Sequence, residues 1–138
     1  MDGVLCNFEK GAIEAINREL ASENPKNPEL AAEVIKDLGR NYVTVDDIQK
    51  FSPGKSSAAT KYMYKLAHDD VDFWANLEWQ PGGKQLWAYI RQFDPDILTS
   101  PMDKQGHNES LEGKLIWVEK NLGLSPDKVN FAHDKYKY

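Results

Sequence analysis

The stretch DILTSPMDKQGHNESLEGKLIWVEKNLGLSPDKVNFA, residues 96–132, decides the fold class of this chain. It opens with a short apolar run, Ile97-Leu98-Thr99, and closes with a second one, Val129-Asn130-Phe131-Ala132. Between them, four apolar residues recur at helical spacing on one face: Leu111, Leu115, Val118 and Leu122. Gly123 follows them as a helix C-cap. A strand, a helix and a strand in this order predict a parallel α/β unit.

The residues before this unit have the periodicity of helices. Phe8, Ala12, Ile16 and Leu20 recur every fourth residue and predict a helix that ends by residue 22. A second helix is expected over residues 28–38, with further helices from residue 44, over 57–68 and over 81–93. We therefore expect an α/β core built from residues 1–12 and 81–138, with an all-helical block inserted at 13–80.

Composition limits the possible functions. With 138 residues the chain can bury one core, and 41% hydrophobic residues argue against disorder. The net charge of -5 provides no general attraction to nucleic acid polymers or to anionic membranes. Any nucleotide ligand is therefore expected to occupy a local site.

Cysteine usage and hydropathy predict a cytoplasmic protein without a membrane partner. Cys6 is the single cysteine, so no internal disulfide can form. No positively charged leader with an apolar region precedes it, and no apolar run approaches the roughly 20 residues that span a bilayer.

Three short motifs carry candidate chemistry. Met1-Asp2-Gly3-Val4-Leu5 places an acid and a glycine before an apolar pair, Thr99-Ser100-Pro101 ends the first predicted strand, and His133-Asp134-Lys135 follows the second. Open α/β sheets bind ligands at the carboxyl ends of their strands. Each motif alone has an ordinary structural explanation as a turn, a strand exit or a solvated charge. Their order and spacing, with a helical block between the first two, favour one shared site.

These motifs, together with the helical segment 114–120, resemble the haloacid-dehalogenase-like phosphatases, and among them the 5'(3')-deoxyribonucleotidase branch. The resemblance runs across the whole chain and is specific at those four places. It implies a Rossmann-type core with parallel strands and an inserted all-helical cap. The implied activity is magnesium-dependent hydrolysis of deoxynucleoside monophosphates through an aspartyl-phosphate.

The resemblance also implies the role of each site residue. Asp2 would protonate the leaving oxygen, activate water and present its backbone carbonyl to magnesium. Thr99 and Ser100 would orient the phosphoryl oxygens beside Gly3, and Lys135 would balance charge. Three cap aromatics could stack on the nucleobase, although core packing explains them equally well: Phe73, Trp74 and Trp79.

In that family the nucleophilic aspartate stands two residues before the equivalent of Asp2, and a fourth, acidic motif follows the third. Neither is among these 138 residues. We therefore expect a chain truncated at both ends, with little activity and weak magnesium binding. The lost central strand would leave strand edges that promote self-association. The alternative is a non-catalytic protein of the same fold that binds a nucleotide or a partner.

Overall fold

A computed structural model describes residues 1, 3–49, 57–100 and 109–131 of the chain. The chain divides into two compact units, one formed by Met1–Phe8 with Ala67–Tyr138 and the other by Glu9–Leu66. The domain boundaries predicted after residues 12 and 80 stay a prediction.

The described residues form seven α-helices and two short strands. The helices are α1 (Phe8–Ala21), α2 (Pro28–Leu38), α3 (Val45–Gln49), α4 (Ala58–Asp69), α5 (Val71–Ala75), α6 (Gly83–Ile90) and α7 (Glu109–Leu122), and the strands are β1 (Ile97–Thr99) and β2 (Val129–Phe131). Single 3₁₀ turns, Arg91–Phe93 and Pro126–Lys128, precede the two strands. Within the part of the chain that the structure describes, no helix is both long and apolar enough to cross a membrane.

β1 and β2 form a two-stranded parallel sheet joined through α7. Ile97 pairs with Val129 and Thr99 with Phe131, so the carboxyl ends of both strands lie at the same edge. The predicted strand, helix and strand are therefore confirmed, within a mixed fold that is rich in helix. A haloacid-dehalogenase-like core stays a prediction.

In the unit Glu9–Leu66, local sequence signals define the ends of the helices. Gly39 ends α2 in a left-handed conformation, φ 69°, and its N–H donates to the Ile35 carbonyl. Before α3, which was expected from residue 44, the Thr44 N–H donates to Asp47 Oδ2 at 2.7 Å, which is one of the two hydrogen bonds of a capping box. These ends agree with the predicted helices.

In the other unit, α5 and α7 approach closely because residue 113 is glycine. A Cβ added at Gly113 would lie 2.5 Å from the Val71 carbonyl oxygen and 2.5 Å from Trp74 Cβ. Asp70 caps the first turn of α5 by accepting a hydrogen bond from the Phe73 N–H at 3.1 Å. The absence of a side chain at residue 113 therefore sets the separation of these helices.

The first residues form a tight turn that docks on the segment before α6. The Met1 carbonyl accepts hydrogen bonds from Leu5 and Cys6, while Gly3 takes a positive φ of 73°. Leu5 accepts from the Gln80 N–H at 2.8 Å, and its carbonyl also lies 2.8 Å from where a Cβ of Gly83 would stand. The amino-terminal motif is thus fastened by backbone hydrogen bonds within its own unit.

The buried face of α7 agrees with the predicted one at Val118 and Leu122 and differs from it in the first half of the helix. Leu111 and Leu115 are only half-buried, and the face turned inward is made of Ser110, Gly113, Lys114, Trp117, Val118 and Leu122. The hydropathy pattern missed this face because it contains a glycine needed for close helix packing and a lysine. In α6 the side chain of Trp87 is buried, whereas that of Leu86 is exposed.

Candidate functional site

The carboxyl end of β1 carries two hydroxyl side chains. Thr99 is the last residue of β1 and is 1% exposed, and Ser100 follows it directly. The register partner of Thr99 is Phe131, the last residue of β2, so the carboxyl ends of both strands lie at this edge of the sheet. This edge is where parallel α/β units place their ligands.

A buried lysine reaches this edge from α7. Lys114 is 1% exposed, and its Nζ lies 3.3 Å from Thr99 Oγ1 and 2.5 Å from the Ser100 carbonyl oxygen. An ammonium group only donates hydrogen bonds, so both oxygens act as acceptors. Lysine is almost never fully buried without polar partners, because removing the charge from water is costly. The two residues that end β1 provide part of that compensation.

An aromatic ring covers another side of the same ammonium. Lys114 Nζ lies 4.5 Å from the ring centroid of Trp74, within the range of a cation–π contact. The indole is fully buried, and its Nε1–H donates to the Ala67 carbonyl at 2.7 Å. Phe8 and Phe73 pack around it with ring centroids 5.3 and 5.4 Å away.

This arrangement can bind an anionic group. The Thr99 hydroxyl accepts from Lys114 and keeps its own proton, which it can donate to a ligand oxygen. A cation held in a poorly hydrated setting interacts more strongly with an anion than one in water does. The end of β1 therefore combines a fixed positive charge with a hydroxyl donor, which are the groups that recognise a phosphoryl oxygen.

The predicted site residues have different outcomes. Asp2 and Lys135 lie outside the described residues, so the expected cluster of Asp2, Thr99 and Lys135 stays a prediction. Thr99 and Ser100 stand together at the strand end, as their sequence order requires, and both contact Lys114. Gly3 lies in the amino-terminal turn.

The three cap aromatics lie in the unit Met1–Phe8 with Ala67–Tyr138. Phe73 and Trp74 are in its buried core, so their rings are engaged by protein. Trp79 is half-buried and packs on Trp117, with ring centroids 5.2 Å apart. Among the three, Trp79 keeps the most accessible ring for a base to stack on.

The described residues provide no set of side chains that could bind the expected magnesium ion. Residues 1, 3–49, 57–100 and 109–131 hold no group of three or more acidic, histidine or cysteine side chains that could bind a metal ion. The oxygens at the end of β1 already accept hydrogen bonds from an ammonium, which would repel a divalent cation at the same atoms. The remaining expected ligand, the carbonyl of Asp2, lies outside the described residues.

Sequence reasoning missed Lys114 as a site residue. The lysine lies in the segment 114–120 that carries part of the family resemblance, but the apolar periodicity drew attention to Leu111 and Leu115. A signal was present, since Ser110, Gly113, Trp117 and Val118 surround Lys114 at helical spacing.

Comparison with protein-family models, curated proteins and solved structures found no match to this chain.

Proposed function

We propose that this chain carries the phosphoryl-binding part of a phosphatase that resembles the haloacid-dehalogenase-like 5'(3')-deoxyribonucleotidases. The substrates would be small deoxynucleoside monophosphates in the cytoplasm. One observation carries the proposal: a buried lysine ammonium meets a threonine hydroxyl at the carboxyl end of a parallel strand. A phosphate dianion matches that combination of charge and hydrogen-bond donors.

In the proposed mechanism the residues at the end of β1 hold the transferring group. The Thr99 hydroxyl donates to one phosphoryl oxygen, and Ser100 orients a second one. Lys114 balances the negative charge that the group carries as it is transferred. Donors that are already in place need no reorganisation during the reaction, which is how such sites lower barriers.

Lys114 takes over the role that the sequence resemblance assigned to Lys135. Its ammonium already contacts both residues of the second motif, whereas Lys135 lies outside the described residues. The two lysines are not exclusive, because Lys135 follows β2 in the sequence and the carboxyl ends of β1 and β2 lie at the same edge of the sheet.

The covalent chemistry would come from acidic residues. By resemblance, a nucleophilic aspartate attacks phosphorus, and Asp2 protonates the leaving oxygen and then activates water. Magnesium would neutralise negative charge at the phosphate when bound. The residues at the end of β1 supply binding, and the transfer of the phosphoryl group depends on that aspartate.

Binding provides the first test, by calorimetric titration of the chain with inorganic phosphate and with deoxynucleoside monophosphates. Lys114→Met should weaken phosphate binding by about 10- to 100-fold, since hydrogen bonds to charged groups contribute about 1.5–3 kcal/mol. Lys120→Met is the matched control, because Lys120 lies on the same helix but is exposed. Equal affinities of the two variants would refute the assignment of Lys114.

Hydrolysis provides the second test. A chain extended by an apolar strand ending in aspartate and by an acidic fourth motif should release phosphate in the presence of magnesium. The 138-residue chain should be slower by about 10⁴- to 10⁶-fold, the usual cost of losing a nucleophile. Robust release by the short chain that Asp2→Asn abolishes would make Asp2 the nucleophile. Binding without hydrolysis in both chains would favour the non-catalytic alternative.

Self-association is part of the proposal. Among the described strands β1 and β2 pair only with each other, so each has a second edge free of a described partner strand. Exposed strand edges pair with other chains. Light scattering over a concentration series should show a dimer or larger species, and a monomer at high concentration would contradict this part.

A further inference from the structure

We propose that Trp74 is a positioning residue for Lys114, holding its ammonium against the end of β1 through the face of the indole ring. The consequence of this contact between Trp74 and Lys114 for phosphate binding rests on the proposed function. The contact itself rests on three observations: a short distance, an anchored ring and a glycine that permits the approach.

The distance places the cation where the ring attracts it. Lys114 Nζ is 4.5 Å from the centroid of Trp74, and tryptophan has the strongest cation–π attraction of the aromatic residues. Both side chains are almost completely buried, at 1% and 0% exposure, so water competes little for the ammonium. A cation–π contact is stronger when it is desolvated.

The ring contributes to the environment of the buried ammonium without adding a charge of its own. A π face attracts a cation through the quadrupole of the ring, so the contact with Trp74 reduces the cost of burying Lys114 and brings no negative charge to the end of β1.

The indole is held so that its face cannot turn away. Its Nε1–H is fixed by the Ala67 carbonyl at 2.7 Å, and the rings of Phe8 and Phe73 pack on it. On the side of α7, the absence of a Cβ at Gly113 lets Trp74 approach the helix that carries Lys114. These contacts come from four separate segments and converge on one orientation of the ring.

The test replaces Trp74 with tryptophans of increasing fluorine content, introduced at that position alone. Fluorine withdraws electron density from the ring face and weakens cation–π attraction with little change of shape. The pKa of Lys114 is followed through its Cε and Nζ nuclear magnetic resonances during a pH titration. This pKa should fall in steps with each added fluorine, and Trp74→Leu should also lower it.

Position 117 provides the matched control. Trp117 is also fully buried, and its Nε1–H donates to the Leu77 carbonyl at 2.8 Å, but its ring partner is Trp79. The same fluorinated residues at 117 should leave the Lys114 titration unchanged. The proposal would be overturned if the pKa of Lys114 did not change across the fluorinated series at position 74, or if it changed equally for the series at positions 74 and 117. The fluorinated series keeps the test decisive if Trp74→Leu fails to fold.

Phosphate affinity separates this inference from the proposed function. The most fluorinated Trp74 chain should bind inorganic phosphate about 10-fold more weakly than the same substitution at 117. If the unmodified chain binds no phosphate, the proposed function fails while the Lys114 titration still decides the role of Trp74. If phosphate binds normally and the titration series is flat, the function stands and the positioning role is refuted.

Discussion

Replacing Gly113 with alanine should disrupt the contact between α5 and α7. The new Cβ would stand 2.5 Å from the Val71 carbonyl oxygen and 2.5 Å from Trp74 Cβ, well inside the 3.4 Å at which ordinary contact begins. Neither atom can move by a rotamer change, because one belongs to the backbone and the other is attached to it. The helices must therefore separate by about 1 Å.

The magnitude follows from two opposing effects. Overpacking of this kind costs about 1–3 kcal/mol, occasionally more. Alanine has a higher helix propensity than glycine and returns about 1 kcal/mol. Because both new contacts would be as short as 2.5 Å, the cost should lie at the upper end of that range, and we expect a net loss of about 2 kcal/mol in the free energy of unfolding, accompanied by weaker phosphate binding as Trp74 shifts away from Lys114.

Urea denaturation followed by tryptophan fluorescence measures the stability. Glu112→Ala is the matched control, because Glu112 is the adjacent residue of the same helix and is exposed. Its unfolding free energy should change by no more than about 0.5 kcal/mol. If Gly113→Ala is as stable as that control, the close approach of α5 and α7 does not depend on this glycine and the reasoning is wrong.

Three further predictions concern stability. Burial raises the pKa of Tyr62 to about 12, above its unfolded value, so stability should be complete below pH 10 and fall by about 2–3 kcal/mol as the pH rises toward 12. Tyr62→Phe should remove that loss in alkaline urea titrations at little cost near pH 7, because the buried hydroxyl makes no hydrogen bond of normal geometry to its neighbours Asn27 and Glu19; a stability that still falls between pH 10 and pH 12 would contradict this. Asp70→Ala should lower the unfolding free energy by about 1 kcal/mol through loss of the α5 cap, whereas Asp70→Asn should keep most of it in thermal melts. Burial alone would raise the pKa of Asp47, but hydrogen bonds from Thr44 and Arg40 outweigh burial, so the pKa in the folded protein lies below the ordinary value of 3.8. The stability that Asp47 contributes is therefore present above pH 3.8 and is lost as the pH falls through the folded pKa. Asp47→Asn should make the free energy of unfolding less dependent on pH in the acid range. A pH dependence identical to that of the unsubstituted chain would count against this assignment.

Local sequence signals account well for the ends of the elements. Gly39 ends α2, Asp70 begins α5, and the two apolar runs became β1 and β2. These signals succeed because a cap or a glycine turn depends on backbone groups within four residues of it. The candidate strand end was also found, since Thr99 follows directly from the strand.

The position of Lys114 could not be found in the same way. Hydropathy counts a lysine as a surface residue, and the burial of this one depends on Thr99, Ser100 and Trp74, which lie in other elements. For Trp74 the sequence allows either base stacking or core packing, and the structure places its ring in the core against the ammonium. Its role depends on the packing of α5 against α7.

Local signals along the chain were enough to place both strands, the helix that joins them and most of the other helices, although α6 ends at Ile90 and not at residue 93. The tertiary structure alone decided which face of α7 is buried and which charged group reaches the end of β1. The physical reason is the range of the forces involved. Caps and turns are satisfied by near neighbours, whereas a buried charge is tolerated only where partners from distant segments meet it.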